Sequence, residues 1–141
     1  MEPVLTVTDA PGEAAMAAIQ SGLAAFNDAA TGIVDRKPLA VLVSDPRTGE
    51  VVGGVLGRTS LGLMFVDLVY LPDELRGGGV GRRMIAMAEE EGRRRGCAHV
   101  MLYTITFQAP GFYAKLGYRE FGRIPCDPPG TARVFMTKAL R

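Results

Sequence analysis

The residue run with the clearest potential for chemistry is glycine-rich and basic, Arg76-Gly77-Gly78-Gly79-Val80-Gly81. It lies between an apolar run typical of a central strand, residues 61–71, and a periodic run that predicts a helix, residues 80–95. Such a turn leaves several main-chain N–H groups without partners, and the helix dipole adds about half a positive charge there. Glycine also lets a ligand approach the main chain closely. This combination suits a diphosphate, with Arg76 or Arg82 adding a charge-assisted contact.

The sequence around this turn excludes two other phosphate-binding motifs. No Gly-Lys-Ser/Thr follows the glycines, so the turn is not a P-loop. The turn also comes in mid-chain after a predicted hairpin, rather than opening a strand–helix–strand unit, so it is not a dinucleotide-binding fingerprint. The alternative interpretation is a flexible turn that is rich in glycine and binds nothing.

The N-terminal part of the chain predicts a strand followed by a helix. Residues 4–7 are β-prone and predict a first strand. Asp9 followed by Pro11 predicts the start of a helix that reaches about Asn27. Residues 27–38 are typical of a loop.

Two β-rich runs, residues 39–43 and 51–56, are separated by turn-forming residues at positions 44–49. This pattern predicts a hairpin. Glycines in and just after its second strand, Gly53, Gly54 and Gly57, indicate a bulge or a close neighbour of that strand.

The helix predicted at residues 80–95 has an apolar stripe and a charged face. Its three acids, residues 89–91, stand four positions before three arginines, residues 93–95, which is the favourable order for ion pairs along a helix. We expect these charges to form a solvated face and Gly96 to end the helix. The patterns beyond it predict a strand, a short helix and two further strands, at residues 99–103, 108–116, 118–124 and 133–140.

Composition narrows the class of protein. The chain has 141 residues with 48% apolar side chains, which predicts one compact domain over residues 1–141. The balance of 16 basic and 15 acidic residues argues against nucleic acid as a partner. Cys97, Cys126 and a lone His99 are too few for a disulfide scaffold or a zinc site, so we expect no metal. No signal peptide or apolar run of about 20 residues is present, so we expect no membrane span and a cytoplasmic location.

A second motif, Ala109-Pro110-Gly111-Phe112-Tyr113-Ala114-Lys115-Leu116-Gly117-Tyr118, follows the glycine-rich turn after a helix and a strand. The two motifs, in this order and spacing, resemble the GNAT superfamily of acetyl-CoA-dependent N-acetyltransferases. The order of elements is similar over essentially the whole chain. The resemblance implies an α/β fold with a mixed, strongly twisted sheet of about six or seven strands and about four helices. In that fold the fourth and fifth strands diverge and the cofactor lies between them.

The resemblance also implies a set of site residues. Main-chain groups near Val69, Tyr70 and Leu71 would bind the pantetheine arm and polarise the thioester, and Tyr113 would hydrogen-bond or protonate the departing sulfur. Thr106 stands where the family often has asparagine, so only part of the amide's bonding is retained there. Pro72 directly follows Leu71, where the family more often has one residue between. The residues expected to bind the cofactor are Val69, Tyr70, Leu71, Arg76, Gly77, Gly78, Gly79, Val80, Gly81, Arg82 and Thr106.

Two side chains are candidates for catalysis. Tyr113 has a phenol with an ordinary pKa near 10, which can donate a proton to a CoA thiolate of pKa about 8.5. Asp67 is the one acid within the long apolar strand. Its ordinary pKa of about 3.9 makes direct proton transfer from an alkylammonium uphill by roughly 9 kcal/mol. Asp67 is therefore expected to orient a water or the ammonium, unless it only bonds a neighbouring loop.

These features predict an enzyme that moves an acetyl group from acetyl-CoA to a primary amine by direct attack on the thioester. The acceptor would be a small-molecule or peptide amine, and a homodimer is possible. One alternative keeps the fold but drops the chemistry, giving an acyl-CoA-binding sensor or regulatory module. Another is an interaction module whose glycine-rich turn binds no ligand.

Overall fold

A computed structural model describes all residues, 1–141, and divides them into two compact units, residues 1–34 and 35–141. The units are described separately below. The expectation of a single domain over the whole chain stays a prediction. None of the helices in either unit is both long enough and apolar enough to cross a membrane.

The first unit contains one helix, α1, at Gly12–Thr31. Pro11 precedes it as predicted, and it ends at Gly32, whose φ of 70° is left-handed and whose N–H donates to the Asp28 carbonyl at 2.8 Å. The helix runs four residues beyond Asn27 because no glycine or proline occurs between Asn27 and Gly32. The predicted first strand at residues 4–7 is wrong. A strand needs a hydrogen-bonded neighbour, and this unit contains no other strand.

The second unit is built on a six-stranded sheet in the order β1-β2-β3-β4-β6-β5. β3 and β4 are parallel, and the other neighbouring strands are antiparallel. The mixed six-stranded sheet confirms the predicted fold. The elements are β1 at Lys37–Ser44, β2 at Val51–Ser60, β3 at Leu63–Tyr70, α2 at Val80–Arg94, β4 at His99–Ile105, α3 at Pro110–Lys115, β5 at Arg119–Cys126 and β6 at Thr131–Ala139.

The chain has three α-helices rather than about four, together with one turn of 3₁₀ helix at Asp73–Leu75. The predicted loop between α1 and β1 is reduced to residues 32–36, because α1 occupies much of it. These five residues hold little more than one α-helical turn of about 3.6 residues, so no second helix of several turns fits in the connection.

The predicted hairpin is β1 and β2, closed by the turn at residues 45–50. The Asp45 N–H donates to the Glu50 carbonyl at 2.8 Å, and the Gly49 N–H donates to the Asp45 carbonyl at 2.7 Å. The Asp45 carboxylate also accepts from the Arg47 N–H at 2.8 Å. Asp45 therefore organises the turn through both its main chain and its side chain.

Gly57 stands where β2 approaches β3 too closely for a side chain. A Cβ built on Gly57 would overlap the carbonyl oxygen of Phe65. The register of the two strands shifts at the same point, because Leu56 pairs with Leu68 whereas Gly57 pairs with Val66. The predicted bulge or close approach is confirmed.

We expect Gly57→Ala to lower the free energy of unfolding by about 2 kcal/mol, because the added methyl group has to push β3 away. Gly122→Ala is the matched control. Gly122 is also a strand glycine, and its Cβ would meet no atom within 4 Å. Urea unfolding of both variants measures the effect. Equal stabilities for the two variants would contradict the tight approach at Gly57.

The core of the second unit lies between the sheet and α2. Met84, Ile85 and Ala88 of α2 are at most 3% exposed and pack with buried strand residues such as Val55 and Val100. The apolar stripe is therefore confirmed, but the solvated charged face is only partly right. Glu89 is 5% exposed, and the side chains of neighbouring elements that bury it are described below.

Candidate active site

β3 and β4 are paired along only part of their length. Leu63–Phe65 pair with His99–Met101, and no pairing follows, although β3 continues to Tyr70 and β4 to Ile105. The facing edges of the two strands beyond this point therefore have no partner strand. Val69 and Tyr70 lie on this stretch of β3, and Leu71 follows it. A divergence of this kind exposes main-chain donors and acceptors in the middle of a sheet.

The glycine-rich turn lies just after the open end of β3, at the start of α2. The first main-chain bond of the helix runs from the Arg83 N–H to the Gly79 carbonyl at 3.1 Å. Six consecutive N–H groups before it, at residues 77–82, have no acceptor within the protein. Successive free N–H groups at a helix start form a site for an anion. Val80 and Gly81 belong to the first helical turn.

Glycine is required at two positions of this turn by the main-chain conformation. Gly77 and Gly79 have φ values of 82° and 87°, which other residues rarely adopt. Gly78 between them has no positive φ, and a Cβ there would meet no atom within 4 Å. Gly81 faces α3, since its Cβ would lie 3.3 Å from the Phe112 ring. The first turn of α2 and the short helix α3 are therefore neighbours.

The two arginines predicted to assist the turn have different surroundings. Arg76 Nε donates to the Leu71 carbonyl at 2.7 Å, and its Nη1 lies 2.7 Å from Asp73 Oδ1. Arg76 thus braces the loop before the turn and occupies the Leu71 carbonyl. Arg82 is exposed and makes no hydrogen bond or ion pair within the protein. Of the two side chains, only Arg82 has its whole guanidinium free for an anion.

Tyr113 is on α3, which follows the diverging end of β4. Its ring is 6% exposed and packs edge-on against Phe112 and Tyr118, with centroid distances of 5.1 Å and 5.7 Å. Its hydroxyl makes no hydrogen bond within the protein. Burial raises the pKa of the Tyr113 phenol above its ordinary value. Tyr113 is therefore a protonated donor that no protein group uses.

Thr106 lies immediately after β4 and is joined to Ala132 by two hydrogen bonds. Its N–H donates to the Ala132 carbonyl at 3.0 Å, and its Oγ1 accepts from the Ala132 N–H at 3.2 Å. The hydroxyl hydrogen is still available to a ligand. The contact of Thr106 with pantetheine stays a prediction.

Asp67 is the extra residue of the β3 bulge opposite Gly57. Its Oδ1 accepts from Arg58 Nη1 at 2.6 Å, and both side chains are about half exposed. The Arg58 guanidinium also lies 4.2 Å above the centre of the Phe65 ring. Sequence reasoning missed Arg58. Because a tight turn at Leu61 and Gly62 joins β2 to β3, counting back across the turn would have placed Arg58 beside this part of β3.

The remaining candidate ligands do not come together. His99 begins β4 as predicted and is exposed, whereas Cys97 is buried and Cys126 is half-buried. Burial raises the pKa of the Cys97 thiol. No group of three His, Cys, Asp or Glu side chains in residues 1–141 is arranged to hold a metal ion.

The chain is similar in sequence to known proteins. A family model described as the acetyltransferase (GNAT) family matches residues 13–118, about three quarters of the chain. This chain belongs to the GNAT family. It is 37% identical over 113 residues to the blasticidin-S acetyltransferase of Streptomyces morookaense, covering 78% of this chain and 83% of that one. It is 34% identical over 118 residues to the acetyltransferase Atu2258 of Agrobacterium fabrum, covering 84% and 83%.

Two solved structures have the same fold as this chain. A crystal structure assigned as an acetyltransferase from Agrobacterium tumefaciens aligns with a TM-score of 0.85 at 32% identity, over 99% of both chains. A second, from Bacillus cereus, aligns with a TM-score of 0.78 at 24% identity, over 98% of this chain and 97% of that chain. The predicted family and enzyme class are confirmed: the GNAT chain is an acetyltransferase.

Proposed function

We propose that this GNAT protein transfers the acetyl group of acetyl-CoA to a primary amine by direct attack on the thioester. The observation that carries the proposal is the row of six free main-chain N–H groups at residues 77–82. Backbone donors at a helix start fit the diphosphate of CoA. The unpaired edges of β3 and β4 fit its pantetheine arm, whose two amide groups pair with main chain as a strand does.

In the proposed reaction the neutral amine nitrogen attacks the thioester carbonyl carbon. A C–N bond forms and the C–S bond breaks. Main-chain groups at the end of β3 donate to the carbonyl oxygen as negative charge develops on it. Tyr113 gives its hydroxyl proton to the departing sulfur, and the proton released by the amine balances it through solvent. The products are an acetylated amine and CoA with a free thiol.

Asp67 has a supporting part in this proposal. One carboxylate oxygen, Oδ1, is bound to Arg58, which leaves Oδ2 free to accept from an ammonium or a water. The carboxylate is about half exposed and lies in the bulge beside the open end of β3. Asp67 thus attracts and orients the amine, whose proton passes to water.

The test is an acceptor panel with acetyl-CoA, followed by thiol release and by mass spectrometry of the products. The panel consists of small amines, polyamines, peptides with a free N-terminus and antibiotics that contain a primary amine. We expect one or more members to gain an acetyl group with one thiol released per product. Stabilisation by CoA without any acetylated product would favour a sensor instead. At 100-fold excess over Kd, CoA binding alone should add about 2.7 kcal/mol of stability.

The pH dependence of kcat/KM should show no loss of the Tyr113 proton between pH 7 and about 10. Because burial raises the Tyr113 pKa, the phenol stays protonated through its ordinary pKa near 10. The neutral fraction of an alkylamine rises over the same range. We therefore expect kcat/KM for the amine to increase from pH 7 to about 10 without a descending limb. Initial rates with enzyme-free blanks measure this, and a descending limb centred well below pH 10 would contradict it.

A further inference from the structure

A buried polar cluster joins α2, the α3–β5 turn and β6. The Tyr118 hydroxyl donates to Glu89 Oε2 at 2.7 Å, and Lys138 Nζ donates to Glu89 Oε1 at 2.9 Å. Glu89 and Tyr118 are 5% and 4% exposed. Arg93 lies 4.0 Å from the same carboxylate. Tyr118 therefore binds one carboxylate oxygen of Glu89, and Lys138 and Arg93 lie against the other.

This cluster is in direct contact with Tyr113. The rings of Tyr113 and Tyr118 meet edge to face at a centroid distance of 5.7 Å, with an angle of 71° between their planes. The Tyr118 N–H donates to the Tyr113 carbonyl at 3.0 Å. Tyr118 thus contacts both the ring and the main chain of Tyr113, and the Glu89 carboxylate fixes the far end of Tyr118.

The cluster also links the two halves of the candidate site. Glu89 is on α2, whose first turn carries the free N–H groups, and Tyr118 follows α3, which carries Tyr113. Lys138 Nζ lies 5.6 Å from the Tyr118 ring centre, and its side chain lies within 3.5 Å of a Cβ built on Gly117. Hydrogen bonds as well as apolar packing therefore hold α2, which begins at the glycine-rich turn, against the segment that carries Tyr113.

We propose that Glu89 and Tyr118 are positioning residues for Tyr113, holding its ring so that the hydroxyl meets the departing sulfur. This inference rests on the proposed function, in which Tyr113 is the proton donor. A buried ion pair is a poor way to gain stability, because its desolvation offsets much of its attraction. A hydrogen-bonded network does, however, hold the Tyr118 ring in one orientation, and the Tyr113 ring packs against that ring. We therefore expect changes at Glu89 and Tyr118 to alter kcat and to leave the Kd for CoA unchanged.

The test is a double-mutant cycle on kcat. Tyr118→Phe removes one hydroxyl, and we expect kcat to fall about 5- to 10-fold while the Kd for CoA stays unchanged. In a Tyr113→Phe background the same substitution should have no further effect on kcat, because there is no hydroxyl left to position. Glu89→Ala should behave like Tyr118→Phe. Glu89→Gln keeps an acceptor for the Tyr118 hydroxyl and should restore most of the rate.

Ile85→Val is the control for a general loss of packing. Ile85 is 1% exposed on the same helix and takes no part in the hydrogen bonds, ion pairs or ring contacts of the cluster. We expect it to keep the wild-type kcat, with all variants assayed well below their melting temperatures. Equal rates for Tyr118→Phe and Ile85→Val would overturn the positioning role, as would an undiminished effect of Tyr118→Phe in the Tyr113→Phe background. A wild-type kcat for Tyr113→Phe alone would overturn the donor role itself, and the positioning role with it.

Discussion

Tyr113→Phe is expected to lower kcat by about 100-fold or more while leaving the fold and the CoA affinity intact. The phenylalanine ring keeps the edge-on contacts with Phe112 and Tyr118. Because the Tyr113 hydroxyl has no partner in the protein, its removal leaves no group unsatisfied. Its loss leaves CoA to depart as a thiolate without a proton donor. Single-turnover rates with the acceptor found in the panel measure the chemical step directly.

Two measurements separate this role from simple packing. The melting temperature and the Kd for CoA should match the wild type, because one hydroxyl is lost from a ring that stays in place. A wild-type single-turnover rate would exclude Tyr113 as the donor. An unchanged rate combined with a weaker Kd would instead assign the residue to cofactor binding.

Gly78→Glu is expected to raise the Kd for CoA by about 100-fold or more. The position accepts a side chain without strain, because Gly78 has no positive φ and its Cβ would meet no atom within 4 Å. The new carboxylate stands among the six free N–H groups and repels a diphosphate. Isothermal titration with CoA measures the change. The variant should melt near the wild-type temperature.

Gly78→Gln is the matched control, because it has nearly the same size and no charge. Its Kd should rise much less than that of Gly78→Glu. Acetyl-pantetheine, which lacks the diphosphate, provides a second control, because Gly78→Glu should turn it over as fast as the wild type does. Equal losses for both variants would indicate that bulk rather than charge blocks the site. Equal losses with acetyl-pantetheine would contradict diphosphate binding at this turn.

Features that depend on neighbouring residues could be predicted from the sequence. The glycine-rich turn is one, because positive φ at Gly77 and Gly79 and the start of α2 are local properties. The β1–β2 hairpin is another, since Asp45 organises its own turn. The GNAT resemblance was carried by two such local motifs, and the family match confirms it.

Features that depend on distant partners could not be predicted. Residues 4–7 have β-prone side chains but form no strand, because strand formation needs a neighbour that the sequence does not name. Glu89 was expected on a solvated face and is buried by Lys138, 49 residues along the chain, and by Tyr118, 29 residues along. Periodicity along a helix predicts which side faces the core, but not which polar side chain finds a buried partner.

The candidate site could be predicted from the sequence only in part. The order of its parts along the chain was clear, whereas Arg76 was expected to be as available as Arg82 and is instead bound to Leu71 and Asp73. Arg58 was missed because its partner Asp67 is nine residues away across a turn. The roles of Asp67, Tyr113 and Thr106 stay predictions.

The most direct test of cofactor binding is a titration of isotope-labelled protein with CoA, followed through the main-chain amide signals of residues 77–82. Hydrogen bonds to a diphosphate should move these amide proton signals downfield, in step with saturation of the protein. Pantetheine alone should leave them in place. Saturation by CoA with these six signals unmoved would contradict the account, because the anion would then be bound elsewhere.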